Sequence, residues 1–164
     1  MTRQGRSAGT IFAVAAAVWT LDRVSKLWVE HTLAGRPPIT VIPGVLDLRF
    51  TTNPGGAFSL GQRSPWIFVG ASILVSIAIV VTAFRHTNVA TSLALGLVLG
   101  GAVGNLTDRI VRGSAFSGHV VDFVDFHIWP VFNLADSAIV VGAVVLAISS
   151  FAADRDREPS HDAG

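Results

Sequence analysis

Two aspartates stand where surface charge is a poor explanation for a carboxylate. Asp136 falls inside a long apolar run, and Asp122 sits fourteen residues earlier within Gly118-His119-Val120-Val121-Asp122-Phe123. An ionised group at membrane depth costs about 2.5–3.5 kcal/mol on insertion scales, so each needs a partner or a task. As one continuous helix the stretch would hold the two carboxyls about 21 Å apart, at about 1.5 Å per residue. Pro130 lies between them and disfavours that helix, so the chain can fold back and bring them together. Two carboxyls in contact cannot both ionise easily. One keeps its proton while the other stays charged, which yields an acid and a base from identical side chains. Such a pair can deprotonate a water for attack on a peptide carbonyl and protonate the departing nitrogen. The titration belongs to the pair, and neither residue is assigned the proton. Taken alone, Asp136 reads equally well as a polar clamp between helices.

Other polar residues fall at helical spacing around these two. Asn133 is three residues before Asp136 on the same face, and Asn105 and Arg109 are one turn apart. Arg109 is expected to pair with Asp108 or Asp125, to hold the loop of the site, or to touch a substrate. Asp22 and Lys26 stand at i, i+4, which suits a mutual ion pair with the lysine reaching to the interface. Asn53-Pro54-Gly55-Gly56-Ala57-Phe58 is a strong turn signal and, by itself, only a loop. His31, His86, His119, His127 and His161 are scattered, with no i, i+4 pair, so no metal site and no cofactor is expected. His119 beside the pair could tune its pH response or make an ordinary polar contact. There is no cysteine, which removes thiol nucleophiles, disulfides and thiolate metal sites. No serine has an obvious base at helical spacing.

The elements that must position these groups are set by a composition unlike that of a soluble domain. Of 164 residues, 51% are hydrophobic and 14% charged, against about 25% charged in ordinary soluble domains. The apolar residues come in blocks, which makes a bilayer the expected solvent. A net charge of +1 favours no nucleic-acid partner. The expected fold is an all-α membrane protein with four spans, at about 8–29, 66–84, 88–106 and 131–152, each near the roughly 20 residues that cross a hydrocarbon core. They form one domain, 1–153, followed by a polar, disordered cytoplasmic tail, 154–164. Arg3 and Arg6 precede the first span and put both termini in the cytoplasm by the positive-inside rule. Trp28, Trp66 and Trp129 then fall at the outer interface. Ala13-Val14-Ala15 imitates a signal-peptide cleavage site, but the apolar stretch before it is short, so the segment reads as an uncleaved span. The outer loop, about 30–65, is expected to hold a β-ribbon of 39–42 and 46–50. Leu46, Leu48 and Phe50 share one of its faces, suited to lying on the membrane surface. Gly96, Gly100 and Gly104 share a face of the third span and suit close helix packing; Gly101 widens that groove enough to admit substrate.

In five blocks the chain resembles bacterial lipoprotein signal peptidase, the signal peptidase II family. They are Leu21-Asp22-Arg23-Val24-Ser25-Lys26, the Asn53 to Phe58 turn, Gly100-Gly101-Ala102-Val103-Gly104-Asn105-Leu106-Thr107-Asp108-Arg109, Val120-Val121-Asp122-Phe123 and Phe132-Asn133-Leu134-Ala135-Asp136. They come in the family's order along nearly the whole chain. The resemblance implies that Asp122 and Asp136 are a catalytic dyad. It implies supporting roles for Asp22, Asn53, Asn105, Arg109 and Asn133; Lys26, Gly55 and Gly104 fall in the same blocks. It also implies an aspartic endopeptidase that cleaves prolipoproteins just before a diacylglyceryl-modified cysteine, among membrane lipids and near the outer face of the bacterial cytoplasmic membrane, and that is inhibited by globomycin. Two departures stand out: Gly56 where alanine is expected, and an apparent extension at 112–117. A proton-coupled transporter also uses intramembrane carboxylates, and a noncatalytic scaffold would explain the glycine face. Four spans without inverted repeats are meagre for the first, and two aspartates beside asparagines do not suit the second.

Overall fold

The computed structural model describes residues 3–55, 65–85, 87–113 and 118–155. Gly56, Ala57 and Phe58 of the turn motif, His86, His161, residues 114–117 of the apparent extension and 156–164 of the tail lie outside the described residues. Seven elements follow in order: α1 (Arg3–Leu33), β1 (Ile39–Ile42), β2 (Leu46–Asn53), α2 (Pro65–Ala83), α3 (Val89–Val111), β3 (Val120–Asp125) and α4 (Leu134–Arg155).

Among the described residues, three helices are long and apolar enough to cross a membrane, over Trp66–Ala83, Val89–Val111 and Leu134–Ala152, with mean hydropathies of 2.4, 1.7 and 2.1. α1 is longer, at 31 residues, and carries Asp22, Arg23, Lys26 and Glu30 in its second half. Local chemistry sets the helix ends. Pro65 occupies the first position of α2, where its missing N–H costs nothing. Asn88 caps α3 by accepting from Thr91 N at 2.7 Å. α3 continues past the expected end near 106 to Val111, because Asp108 and Arg109 find partners there instead of breaking the helix.

The helices pack through an apolar core of Ile11 and Ala15 from α1, Ile79 and Ala83 from α2, and Leu95, Val98 and Leu99 from α3. The glycines of α3 divide between two neighbours. A Cβ on Gly96 would lie 2.7 Å from Val14 Cβ, and one on Gly100 2.7 Å from both Ala15 O and Val18 Cβ. Gly101 instead faces Ala135 and Ile139 of α4. The groove expected to admit substrate at Gly101 is therefore filled by a helix.

β3 was not expected from the sequence. It joins β1 and β2 in a three-stranded antiparallel sheet of order β1-β2-β3. β2 runs on to Asn53, pairing Thr51 with Asp122 and Asn53 with Val120. The sheet has its own small core, Val29 and Leu33 of α1 with Val121 and Phe123 of β3, and Leu48 and Phe50 pack against it. The apolar face of the ribbon thus rests on the end of α1 and on β3, where a resting place on the membrane surface was expected. Beyond β3 the chain turns back, and Phe132 exchanges backbone hydrogen bonds with Val124 at 2.9 and 3.1 Å. That bridge takes up Phe132, so α4 starts at Leu134 rather than near 131, and Asp136 lies in its first turn.

Candidate active site

Asp122 is in the middle of β3 and 2% exposed. The antiparallel pairing carries Asn53, at the end of β2, alongside it, and Asn53 Nδ2 donates to Asp122 Oδ2 at 3.0 Å. Gly55 N donates to Asn53 Oδ1 at 3.1 Å, which turns the amide so that its nitrogen faces the carboxylate. The other oxygen, Asp122 Oδ1, accepts from Asn133 Nδ2 at 2.6 Å.

Asp136 reaches the same place from the other side through the start of α4. Asp136 N donates to Asn133 Oδ1 at 2.8 Å, and Asn133 N donates back to Asp136 Oδ2 at 3.3 Å. This is a reciprocal capping box, which explains why asparagine and aspartate stand three apart where the helix begins. Asn105 Nδ2, from α3, donates to Asp136 Oδ1 at 2.8 Å. Each of the four carboxylate oxygens thus receives one N–H from the protein, and Asn133 touches both aspartates. Burial is the larger influence on Asp122 and the charge of Asp136 the next; together they push its carboxyl from 3.8 up to about 7 against the pull of Asn53 and Asn133. Both aspartates line one cavity of about 340 Å³, walled by Asn53, Gly55, Asn105 and Arg109 and by the apolar Phe68, Trp129, Val131, Phe132, Ile139 and Val140.

Arg109, 5% exposed, makes neither ion pair expected for it. Its guanidinium donates to the carbonyls of Pro54, Gly55 and Gly118 and stands 5.9 Å over the ring of Phe68. It ties the end of β2 to the segment before β3, the loop-holding alternative. Asp125 is paired with Arg49 at 2.9 Å instead.

Lys26 also departs from expectation. It pairs with Asp22 Oδ2 at 2.9 Å, but it is fully buried and does not reach to the interface. Its ammonium also lies 3.0 Å from Asp108 Oδ2 and donates to Asn105 Oδ1 at 2.9 Å. Asp22 Oδ1 accepts from Ala135 N at 3.0 Å, fastening α1 to the start of α4. Gly104 leaves the room for this: a Cβ there would lie 2.7 Å from Asp22 Oδ2. All ten residues singled out in the sequence fall in one connected network. Asp108 was missed as its hub. It pairs with Arg23, Lys26 and Arg112 and accepts from Val121 N. Its i, i+4 spacing to Arg112 was the one local sign of this.

A family model described as Signal peptidase (SPase) II matches residues 14–152. A lipoprotein signal peptidase of Desulfitobacterium hafniense (strain DSM 10664 / DCB-2) is 42% identical over 148 residues, covering 88% of this chain and 95% of that protein. One from Streptomyces coelicolor is 42% identical over 151 residues, covering 92% and 74%. A solved bacterial membrane enzyme superposes with a TM-score of 0.79 at 27% identity, over 94% of this chain and 95% of that one. A second gives 0.71 at 30% identity, over 86% and 92%.

Proposed function

The chain belongs to the signal peptidase II family, and from that premise we propose that it is an aspartic endopeptidase in which Asp122 and Asp136 activate the attacking water. Its role is to remove signal peptides from prolipoproteins, and the proposed cut falls just before a cysteine bearing a diacylglyceryl group. The observation that carries the mechanism is the convergence of the buried Asp122 and the half-buried Asp136 carboxyls in one cavity, with an amide donor on every oxygen.

The pair enters the reaction with one shared proton. The ionised carboxylate takes a proton from water as the water oxygen bonds to the peptide carbonyl carbon. The protonated carboxyl gives its proton to the carbonyl oxygen as the π bond opens. When the C–N bond breaks, the first carboxyl passes its proton to the departing nitrogen. The new carboxylic product returns the other proton to its donor, and the pair is restored. Donors to all four oxygens keep the carboxyls in place through these transfers, so little reorganisation is needed at the moment of reaction.

The supporting residues act around that pair. Asn53, Asn105 and Asn133 aim the carboxyls, Gly55 and Arg109 fix the peptide segment that carries Asn53, and Gly104 seats Asp22. The apolar wall of Phe68, Ile139 and Val140 from α2 and α4 is suited to a substrate whose acyl chains stay in lipid. Extracting those chains would cost about 0.8 kcal/mol per methylene. Residues 1–153 act as one domain with four spans. α1 is the fourth, because its charges are met within the protein while Phe12, Trp19, Leu21, Val24, Leu27 and Trp28 present an apolar outer face. Both termini are cytoplasmic, and the dyad lies near the outer face of the bacterial cytoplasmic membrane, the side of Trp28, Trp66 and Trp129.

Purified enzyme incubated with a diacylglyceryl-modified precursor tests the substrate assignment. The expected product begins at the lipidated cysteine, forms from the modified precursor far faster than from the unmodified one, and is suppressed by globomycin. Equal cleavage of both precursors would overturn the assignment.

A further inference from the structure

Lys26 has no exposed surface; its ammonium lies at ion-pair distance from Asp22 Oδ2 and Asp108 Oδ2 and, as a third contact, donates a hydrogen bond to Asn105 Oδ1. Charge balance does not explain the third contact. Asp108 also takes Arg23 and Arg112, and Arg112 reaches Glu30, so three cations already face three carboxylates. The contact with Asn105 matters because an amide has two unlike ends. An ammonium can only donate, so it forces Oδ1 toward itself and leaves Nδ2 to face Asp136 Oδ1 at 2.8 Å. Asn105 Oδ1 also accepts from Asn133 Nδ2 at 3.2 Å, and that same nitrogen donates to Asp122 Oδ1. A flipped Asn105 would turn its NH2 on two donors and its oxygen on a carboxylate.

We infer that Lys26 is a positioning residue of the dyad, which through Asn105 fixes the amide that aims Asp136 and through its charge favours the singly ionised pair. This rests on the dyad reading above. Among the described residues, the cations facing the pair are Lys26 from α1 and Arg109 from α3. Asp22 from α1 and Asp108 from α3 offset Lys26.

Lys26→Met alone would strand the buried Asp22, whose one cation among the described residues is Lys26, so the informative comparison is Asp22→Asn against Asp22→Asn/Lys26→Met. Removing the cation disfavours the ionised form of either aspartate. The double variant is therefore expected to move both limbs of the pH–rate profile upward, by about one pH unit at most. Its kcat is expected to fall by about tenfold or more, with KM within about threefold, because aim rather than binding is lost. Unchanged limbs in a folded double variant, or a loss confined to KM, would overturn the inference. If the double variant does not fold, Lys26→Arg decides. It keeps charge and donors, so limbs at the wild-type positions support the inference and displaced limbs reject it. Asp122→Asn and Asp136→Asn, run in the same assay, separate the two readings. Retained cleavage there would defeat the dyad itself, whereas inactive dyad variants beside unchanged limbs in Asp22→Asn/Lys26→Met would defeat only the positioning role of Lys26.

Discussion

Asp122 receives an amide N–H on each oxygen, yet its carboxyl is pushed up to about 7, because removal from water outweighs both bonds and the charge of Asp136 adds to it. In the proposed mechanism the shared proton is lost above that pH, so cleavage is expected to decline as pH rises through about 7. Asn53 donates to the ionised form. Asn53→Ala should therefore move that decline to higher pH, measurable as a displaced alkaline limb; an unmoved or lowered limb would contradict the role given to Asn53. Stability follows the same sign. The folded value is raised from 3.8, so the contribution of Asp122 is full below about 4 and lost as pH climbs through 7. Thermal melts of Asp122→Asn should show a flatter dependence across that window than wild type. At this scale the sequence was informative: the cost of carboxylates beside and within apolar runs marked both aspartates. The partners of Lys26 and Arg109 were not legible, since they come from residues 79 or 82 positions away for the lysine and from backbone carbonyls for the arginine.

The elements explain why a site so connected could be only half read. Apolar runs disclosed the three long apolar helices, but their ends moved wherever polar residues found partners. α3 runs past Asp108 and Arg109 because both are satisfied, and α4 starts late because Phe132 is committed to Val124. β3 left little signal. Val120 to Asp125 is short, buried along nearly its whole length and lacks alternation, and its partner strand lies about 70 residues earlier. The glycine spacing on α3 was legible as a packing face, though not which helix each glycine meets. Gly100→Leu should force α1 and α3 apart, since even a Cβ would sit 2.7 Å from the backbone oxygen of Ala15. Overpacking of this kind costs about 1–3 kcal/mol, readable as a lowered melting temperature in detergent. A melt unchanged from wild type would mean that the two helices do not approach so closely.

At the scale of the molecule, the four helices and small sheet of the described residues close around the proposed dyad from three directions: β3 brings Asp122, α4 brings Asp136, and α1 with α3 supplies the charged bed beneath them. The proposed topology is testable because the chain contains no cysteine. With single substitutions, Thr40→Cys should react with an impermeant maleimide in intact cells and Thr2→Cys only after permeabilisation; equal reaction of both would mean that α1 does not span. A mostly helical membrane protein was legible from blocked hydrophobicity, and the family from five short blocks. The joining of those blocks into one network required the third dimension. The most direct test of the central claim is the rate of cleavage of a diacylglyceryl-modified precursor by purified, folded Asp122→Asn and Asp136→Asn enzymes. Loss of acid–base catalysis is worth about 10²–10⁴-fold, so each variant should fall at least about a hundredfold below wild type. Cleavage by either at near wild-type rate would contradict a two-carboxyl mechanism.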